Sequence, residues 1–175
     1  MRVYLAGPDV FFPDPLAWAE RKRAVCRAHG LIGITPFDSV VPEPPSWSML
    51  PEPDRIARRN EAHIRGCDAV IANLTPFRGA SADAGTVYEV GYARALNRPV
   101  FAYTTVAADL QSRSRAYSDG LSVEDFGLRE NLMIDAAVRQ AGSWTVADTP
   151  ADRRWTDLDA FTRCVMAAAA MLRKG

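Results

Sequence analysis

Along this chain, short apolar runs alternate with longer segments in which apolar positions recur every three or four residues. Val3 to Ala6, Leu31 to Thr35, Ala69 to Leu74, Val100 to Tyr103 and Trp144 to Val146 are near-continuous apolar stretches of strand length. That is the pattern of strands covered on both faces. Between them lie helical periods. Pro15 to about His29 has proline at its start and Gly30 just past its end. Asp54 to about Arg65 places Ile56, Asn60 and Ile64 at four-residue spacing, and Thr156 to about Arg173 carries Leu158, Phe161, Val165, Ala168 and Leu172 along one stripe. These are amphipathic helices with ordinary start and stop signals. Strands and helices in alternation predict an α/β fold on a five-stranded parallel sheet with both faces covered.

Two connections break this rhythm. Ser39 to Pro53 holds five prolines, and Thr104 to Phe126 is polar with weak periodicity; connections of that length are typically functional or disordered. Open parallel sheets bind ligands at the carboxyl ends of their strands. That edge is predicted to gather Gly7, Phe11, Asp38, Asn73, Pro76, Arg78 and Gly85 as candidate substrate contacts.

Composition narrows the ligand. At 175 residues and 48% apolar content the chain suits one well-packed core, so a single domain over 1–175 is expected. Basic and acidic side chains balance at 21 each, which leaves no broad positive field for a nucleic-acid polymer or an anionic membrane. A small, nearly neutral ligand is the expectation. Cys26, Cys67 and Cys164 lie far apart with no C-x-x-C pair, against both a disulfide framework and a zinc site. With no signal-like leader, and no apolar run longer than Cys164 to Leu172, a cytoplasmic location is expected. His29 and His63 have no acid or cysteine at metal-ligand spacing and read as surface or helix-end residues; no metal is expected. Neither G-x-G-x-x-G nor G-x-x-x-x-G-K-[ST] occurs, so no nucleotide cofactor is expected either.

The densest candidate chemistry lies in Arg78 to Leu96, RGASADAGTVYEVGYARAL. Thr86 and Glu89 have capping-box spacing, in which Glu89 folds back onto the Thr86 amide. The same spacing places a carboxylate in the first turn of a helix, where the macrodipole keeps it ionised and nucleophilic. Spacing alone leaves both readings open. Asp83, six residues earlier, is either a helix-start turn residue or the second carboxylate of an acid–base or nucleophile pair. Asn60 is drawn toward the core by Ile56 and Ile64, and a buried amide needs partners, from a neighbouring loop or from a ligand. Tyr4, in mid-strand, reads as core with a hydroxyl seeking a partner at the crevice.

VYLAGPDVFFPD (Val3 to Asp14), CDAVIANLTPFRGASADAGTVYEVGYARALN (Cys67 to Asn97) and VEDFGLRENLMI (Val123 to Ile134) together resemble the nucleoside 2-deoxyribosyltransferase family, most closely its kinetoplastid-like branch. The central motif, N-L-x-P-F-R-G followed by D-x-G-T-x-x-E-x-G-x-A, is specific, and with matching element order the likeness covers about the first 135 residues. The resemblance implies a flavodoxin-like three-layer sandwich and a double displacement at the anomeric carbon of a 2′-deoxynucleoside, with no cofactor. By this match Glu89 is the nucleophile that expels the base and holds a deoxyribosyl ester until a second base attacks, two inversions giving net retention. Tyr4 matches the tyrosine that orients the nucleophile. Asp83 matches the acid that hydrogen-bonds the nucleobase and helps protonate it as it leaves. The family lends an Asn-Leu-Met segment across a subunit interface to hold the sugar 5′-hydroxyl, and Asn131, Leu132 and Met133 match that segment here. Asn131 and Met133 thereby become expected substrate contacts within a homo-oligomer, a dimer or a hexamer. Asn60 stands where lactobacillary members carry an aspartate, as in the kinetoplastid-like sequences, and the lactobacillary C-terminal tyrosine has no counterpart in Arg173-Lys174-Gly175. The implied partners are a 2′-deoxynucleoside and a free nucleobase, in purine or pyrimidine salvage.

Other activities share this framework. A hydrolase of 2′-deoxynucleoside 5′-monophosphates would use water as the acceptor and cradle phosphate with a serine-rich loop after the first strand. Here that loop is Gly7-Pro8-Asp9-Val10-Phe11-Phe12, whose acid and two aromatics would repel or fail to bind phosphate. A nucleoside hydrolase without phosphate recognition would keep the same catalytic groups. A non-catalytic nucleotide-binding module would be expected to lack the nucleophile, and Glu89 is present.

Overall fold

A computed structural model of the chain describes residues 1–117 and 119–174. Five parallel strands, β1 (Arg2–Ala6), β2 (Ile32–Ile34), β3 (Ala69–Asn73), β4 (Val100–Thr104) and β5 (Ser143–Val146), form one sheet in the order β2-β1-β3-β4-β5. This is the flavodoxin-like order. Around it lie α1 (Pro15–Ala28), α2 (Glu52–Arg65), α3 (Ala84–Ala95), the short α4 (Leu110–Ser114), α5 (Leu132–Ala141) and α6 (Asp159–Leu172).

Successive residues of a strand point to opposite faces, and here each face has its own layer of helices. Tyr4, Ala6, Val70, Ala72, Val100 and Ala102 pack on Ile64 of α2, Val90 and Ala93 of α3, and Val138 of α5. Val3, Leu5, Ile71, Phe101 and Tyr103 pack on Cys26 of α1 and on Phe161, Cys164 and Val165 of α6. Cys67 belongs to the first layer, Cys26 and Cys164 to the second, and all three are free and buried.

Local signals place the helix ends. Asp14 accepts a hydrogen bond from the Ala17 amide at 3.1 Å and Pro15 opens α1; Gly30, in the left-handed region at φ +78°, lets the chain turn back into β2. Gly7 answers a different need. A Cβ there would stand 2.9 Å from the Cβ of Asn73, so the exits of β1 and β3 approach this closely because Gly7 has no side chain.

The long connections hold more regular structure than their composition predicts. α2 begins at Glu52 rather than Asp54, because Pro53 falls within the first helical turn, where its missing amide hydrogen is not needed. The rest of Ser39 to Pro53 contains a 3₁₀ turn at Pro45–Met49. Thr104 to Phe126 contains α4 and a 3₁₀ turn at Arg115–Tyr117. Ser118 of that connection and Gly175 of the tail lie outside the described residues. α6 starts at Asp159 instead of Thr156, since the Thr156 amide donates to the Arg153 carbonyl at 3.0 Å and closes a separate turn first. No helix among the described residues is long and apolar enough to cross a membrane.

Candidate active site

α2 and α3 run side by side on one face of the sheet, and between them opens a cleft of about 570 Å³. Pro53, Ile56 and Asn60 form one wall; Gly85, Tyr88 and Glu89 form the other. The two helices are tied across the cleft by the Tyr88 hydroxyl, which donates to Glu61 Oε1 at 2.5 Å. Behind Glu89 stands Tyr4 of β1, fully buried, whose hydroxyl donates to Glu89 Oε1 at 2.6 Å. A residue in the middle of a central strand thus reaches through the core to hold a carboxylate on the cleft wall.

The predicted capping box does not form. Asp83 is the N-cap of α3: its Oδ2 accepts from the Thr86 amide at 2.9 Å and from the Thr86 hydroxyl at 3.0 Å. With that amide taken, Glu89 falls in the second turn and turns to Tyr4 instead. The electrostatic expectation changes with it. The macrodipole acts mainly at the first turn, whereas burial pushes the Glu89 carboxyl up to about 7; the Tyr4 bond pulls it down and the Asp83 charge adds to the rise. Glu89 is therefore poised between its acid and its anion at neutral pH. Burial, and then the Glu89 charge, hold the Tyr4 hydroxyl well above its ordinary value, so it stays a donor.

Asn60 and Gly85 share this cleft with Glu89. The Asn60 side-chain carbonyl is buried without a partner among the described residues, a condition that a ligand donor would relieve. Asp83, the expected acid, is not part of its walls, and neither are Gly7, Asp38, Phe11, Asn73, Pro76, Arg78, Asn131 and Met133. The predicted contact Asp38 is engaged elsewhere: its Oδ2 accepts from the Thr35 amide (2.7 Å), the Thr35 hydroxyl (2.6 Å) and Arg23 (3.1 Å), which fixes the exit of β2. Asn73 is buried, accepting from the Thr75 amide at 3.2 Å, with its amide nitrogen 3.5 Å from Asp9. Asp9 is paired with the buried Lys22. Phe11 stacks on Phe77 at 5.4 Å, with the Arg78 guanidinium 5.0 and 4.7 Å from the two rings. Pro76 and Arg78 line a different cleft. Asn131 caps α5, its oxygen accepting from the Met133 amide at 3.0 Å and its nitrogen donating to Glu124 at 3.2 Å, while Met133 is 71% exposed.

Two features escaped sequence reasoning. His63, predicted at the surface or a helix end, is 1% exposed, its ring 6.4 Å from that of Tyr4. It follows Asn60 by three residues on the same face of α2, a spacing that could have signalled its burial. Neither ring nitrogen has a partner among the described residues, and burial lowers its pKa, favouring the neutral ring. The second is Glu130, fully buried, which accepts from the Ser81 hydroxyl (2.6 Å), the Ala82 amide (3.0 Å) and Arg113 (2.9 Å). Arg113 in turn donates to the Ala80 carbonyl at 2.7 Å. Together they clamp the loop that delivers Asp83 and α3.

A family model described as nucleoside 2-deoxyribosyltransferase matches residues 3–133. Among solved structures, a 2-deoxyribosyltransferase from Leishmania mexicana is 32% identical, covering 94% of this chain and 96% of its own, with a TM-score of 0.65. A 2-deoxyribosyltransferase from Bacillus psychrosaccharolyticus shares the fold at 18% identity, over 93% and 96% of the two chains, with a TM-score of 0.50. An uncharacterised protein of Schizosaccharomyces pombe is 28% identical over 83% of this chain and 81% of its own length. The model's match over most of the chain, on a flavodoxin-like sheet, shows that the chain belongs to the nucleoside 2-deoxyribosyltransferase family.

Proposed function

We propose that this chain moves a 2-deoxyribosyl group between nucleobases by double displacement, with Glu89 as the nucleophile. The observation that carries this reading is the 2.6 Å bond from the buried Tyr4 hydroxyl to Glu89 on the wall of a cleft. One carboxylate oxygen is held by a donor that stays protonated, and the other is left to the cleft. Glu89 attacks C1′ on the face opposite the base; the C1′–N bond breaks and its electron pair leaves with the base, which Asp83 helps to protonate. A second base then attacks C1′ and expels Glu89, restoring the original anomeric configuration.

The cleft suits that substrate. Its volume of about 570 Å³ is in the range of small-molecule sites. Pro53, Ile56 and Ala57 offer apolar surface to a planar base, and Asn60 offers both a donor and an acceptor to its polar edge. Asn131 and Met133, outside the cleft of their own chain, are read as lent to a neighbouring copy in a homo-oligomer. We place the reaction in cytoplasmic nucleoside salvage.

The test is to incubate the protein with deoxyinosine, with and without free adenine or cytosine, and to follow the products. A new deoxynucleoside formed only when acceptor base is present supports transfer. Hypoxanthine released at an unchanged rate, with no new nucleoside in either case, would instead assign a hydrolase. A 2-fluoro-2-deoxy nucleoside should leave a sugar adduct on the peptide bearing Glu89, and a label on another carboxylate would overturn the assignment of the nucleophile.

A further inference from the structure

A second cleft, of about 430 Å³, lies beside the loop after β3 and shares no wall residue with the one beside Glu89. Arg78 reaches it from that loop, Arg113 and Tyr117 from the segment after β4, and Arg154 and Trp155 from the chain between β5 and α6. Among the described residues, none of its walls is formed by an acid.

Among the described residues, three guanidinium side chains line this cleft and one of them is neutralised by a neighbour. Arg113 is paired with Glu130, and its other N–H groups go to the carbonyls of Ala80, Ala108 and Arg129. Arg78 and Arg154 form no ion pair among the described residues. Arg154 Nε is buried without a partner. Arg78 lies over the rings of Phe11 and Phe77, an arrangement that uses the flat face of a guanidinium and leaves its N–H edge for an acceptor. Its backbone is in the left-handed region at φ 55°, one that non-glycine residues seldom occupy without local support.

Unpaired guanidinium groups beside a cleft without acids attract an anion, and their planar forks fit the oxygens of a phosphate. Trp155 and Tyr117 add aromatic surface in the same walls, which suits a planar heterocycle. Phosphate and ring on one small ligand describe a nucleotide. We propose that this cleft is a binding site for a nucleoside 5′-monophosphate, separate from the cleft beside Glu89. The proposal stands on the walls of this cleft and does not depend on the reaction assigned to Glu89.

The experiment is calorimetric titration of the full chain with AMP, comparing the wild type with Arg154→Gln and with Ile56→Trp, which fills the α2–α3 cleft. AMP should bind the wild type, lose roughly tenfold or more in affinity in Arg154→Gln, and keep its affinity within about twofold in Ile56→Trp. In Ile56→Trp, adenosine should bind far more weakly than AMP, and inorganic phosphate should compete with AMP. Arg154→Lys keeps the charge but not the fork, and should bind AMP with intermediate affinity; it decides the matter if Arg154→Gln fails to fold. The proposal is overturned if AMP does not bind at millimolar concentration, if Arg154→Gln and Arg154→Lys both bind it as the wild type does, if Ile56→Trp abolishes binding, or if adenosine binds Ile56→Trp as tightly as AMP does.

Discussion

The attack proposed for Glu89 needs its anion, yet burial holds the carboxyl up at about 7. The Tyr4 hydroxyl opposes burial by donating to the charged form. Tyr4→Phe leaves burial and the Asp83 charge without that opposition. The acid limb of the kcat/KM–pH profile, expected near pH 7 in the wild type, should therefore move to higher pH; an unmoved limb would mean that Tyr4 does not tune Glu89. Stability follows from the same proton. Because the folded state holds it more tightly than the unfolded chain between about 4.5 and about 7, the unfolding free energy falls as pH rises through that window. Glu89→Gln has no such proton to release. Its stability relative to the wild type should rise by on the order of 3 kcal/mol between pH 4.5 and pH 8, measured by urea unfolding at each pH. A difference that stays flat would remove burial as the cause. The identities of Tyr4, Asp83 and Glu89 as candidates were legible in the motifs, but their electrostatics were not. Whether Glu89 meets Tyr4 or the Thr86 amide depends on where α3 begins, and Asp83 decides that by taking the amide first.

The β3–α3 loop is held by its own Phe77–Ser81 backbone bond and by a carboxylate 48 positions downstream of the amide it receives. Glu130, itself out of reach of solvent, is paired with Arg113 and also satisfies Ser81 and Ala82. Glu130→Ala would leave the Arg113 guanidinium with backbone carbonyls but no counter-charge, and the Ala82 amide without its acceptor. Breaking such a pair costs about 3–5 kcal/mol, so the unfolding midpoint in urea should drop sharply. Glu130→Gln, which can still accept from Ala82, should lose less. Equal, small losses in both would show the clamp to be dispensable. No local pattern announces a contact of this range, which is why the loop's restraint could not be read from the chain. The central strands could be read, because β3 and β4 bury both faces and so appear as apolar runs; the outer β2 and β5 are shorter and less buried. α4 could not, since five residues are too few to establish a helical period.

Across the whole molecule, exposed apolar side chains are scattered from Met1 to Met171, and one group of them, Leu121, Val123, Phe126, Leu132 and Met133, falls close together in the chain. Leu121 is 76% exposed, Phe126 66% and Met133 71%, along the stretch that ends in the Asn-Leu-Met segment. A surface of that kind suits contact with another copy. If Asn131 completes a neighbour's site, mixing inactive Glu89→Ala with inactive Asn131→Ala under conditions of subunit exchange should restore activity, because some sites then hold both native residues. Exchange shown by mass, with no activity regained, would confine the site to one chain. Fold class was legible at this scale from the alternation of elements; the sorting of the candidate contacts was not. Phe11, Pro76 and Arg78 share the loops after β1 and β3 with the catalytic candidates, yet they gather away from Glu89. The buried thiols have a use of their own. Burial pushes Cys67 and Cys164 up to about 12 and Cys26 to about 11, so each is silent toward an alkylating reagent until the layer around it opens. Cys67 reports on the α2–α3–α5 side and Cys26 and Cys164 on the α1–α6 side. The chain thus carries native chemical clocks on both sides of its sheet, and the order in which their peptides become alkylated in mild denaturant tells whether the two halves of the core part together or in turn.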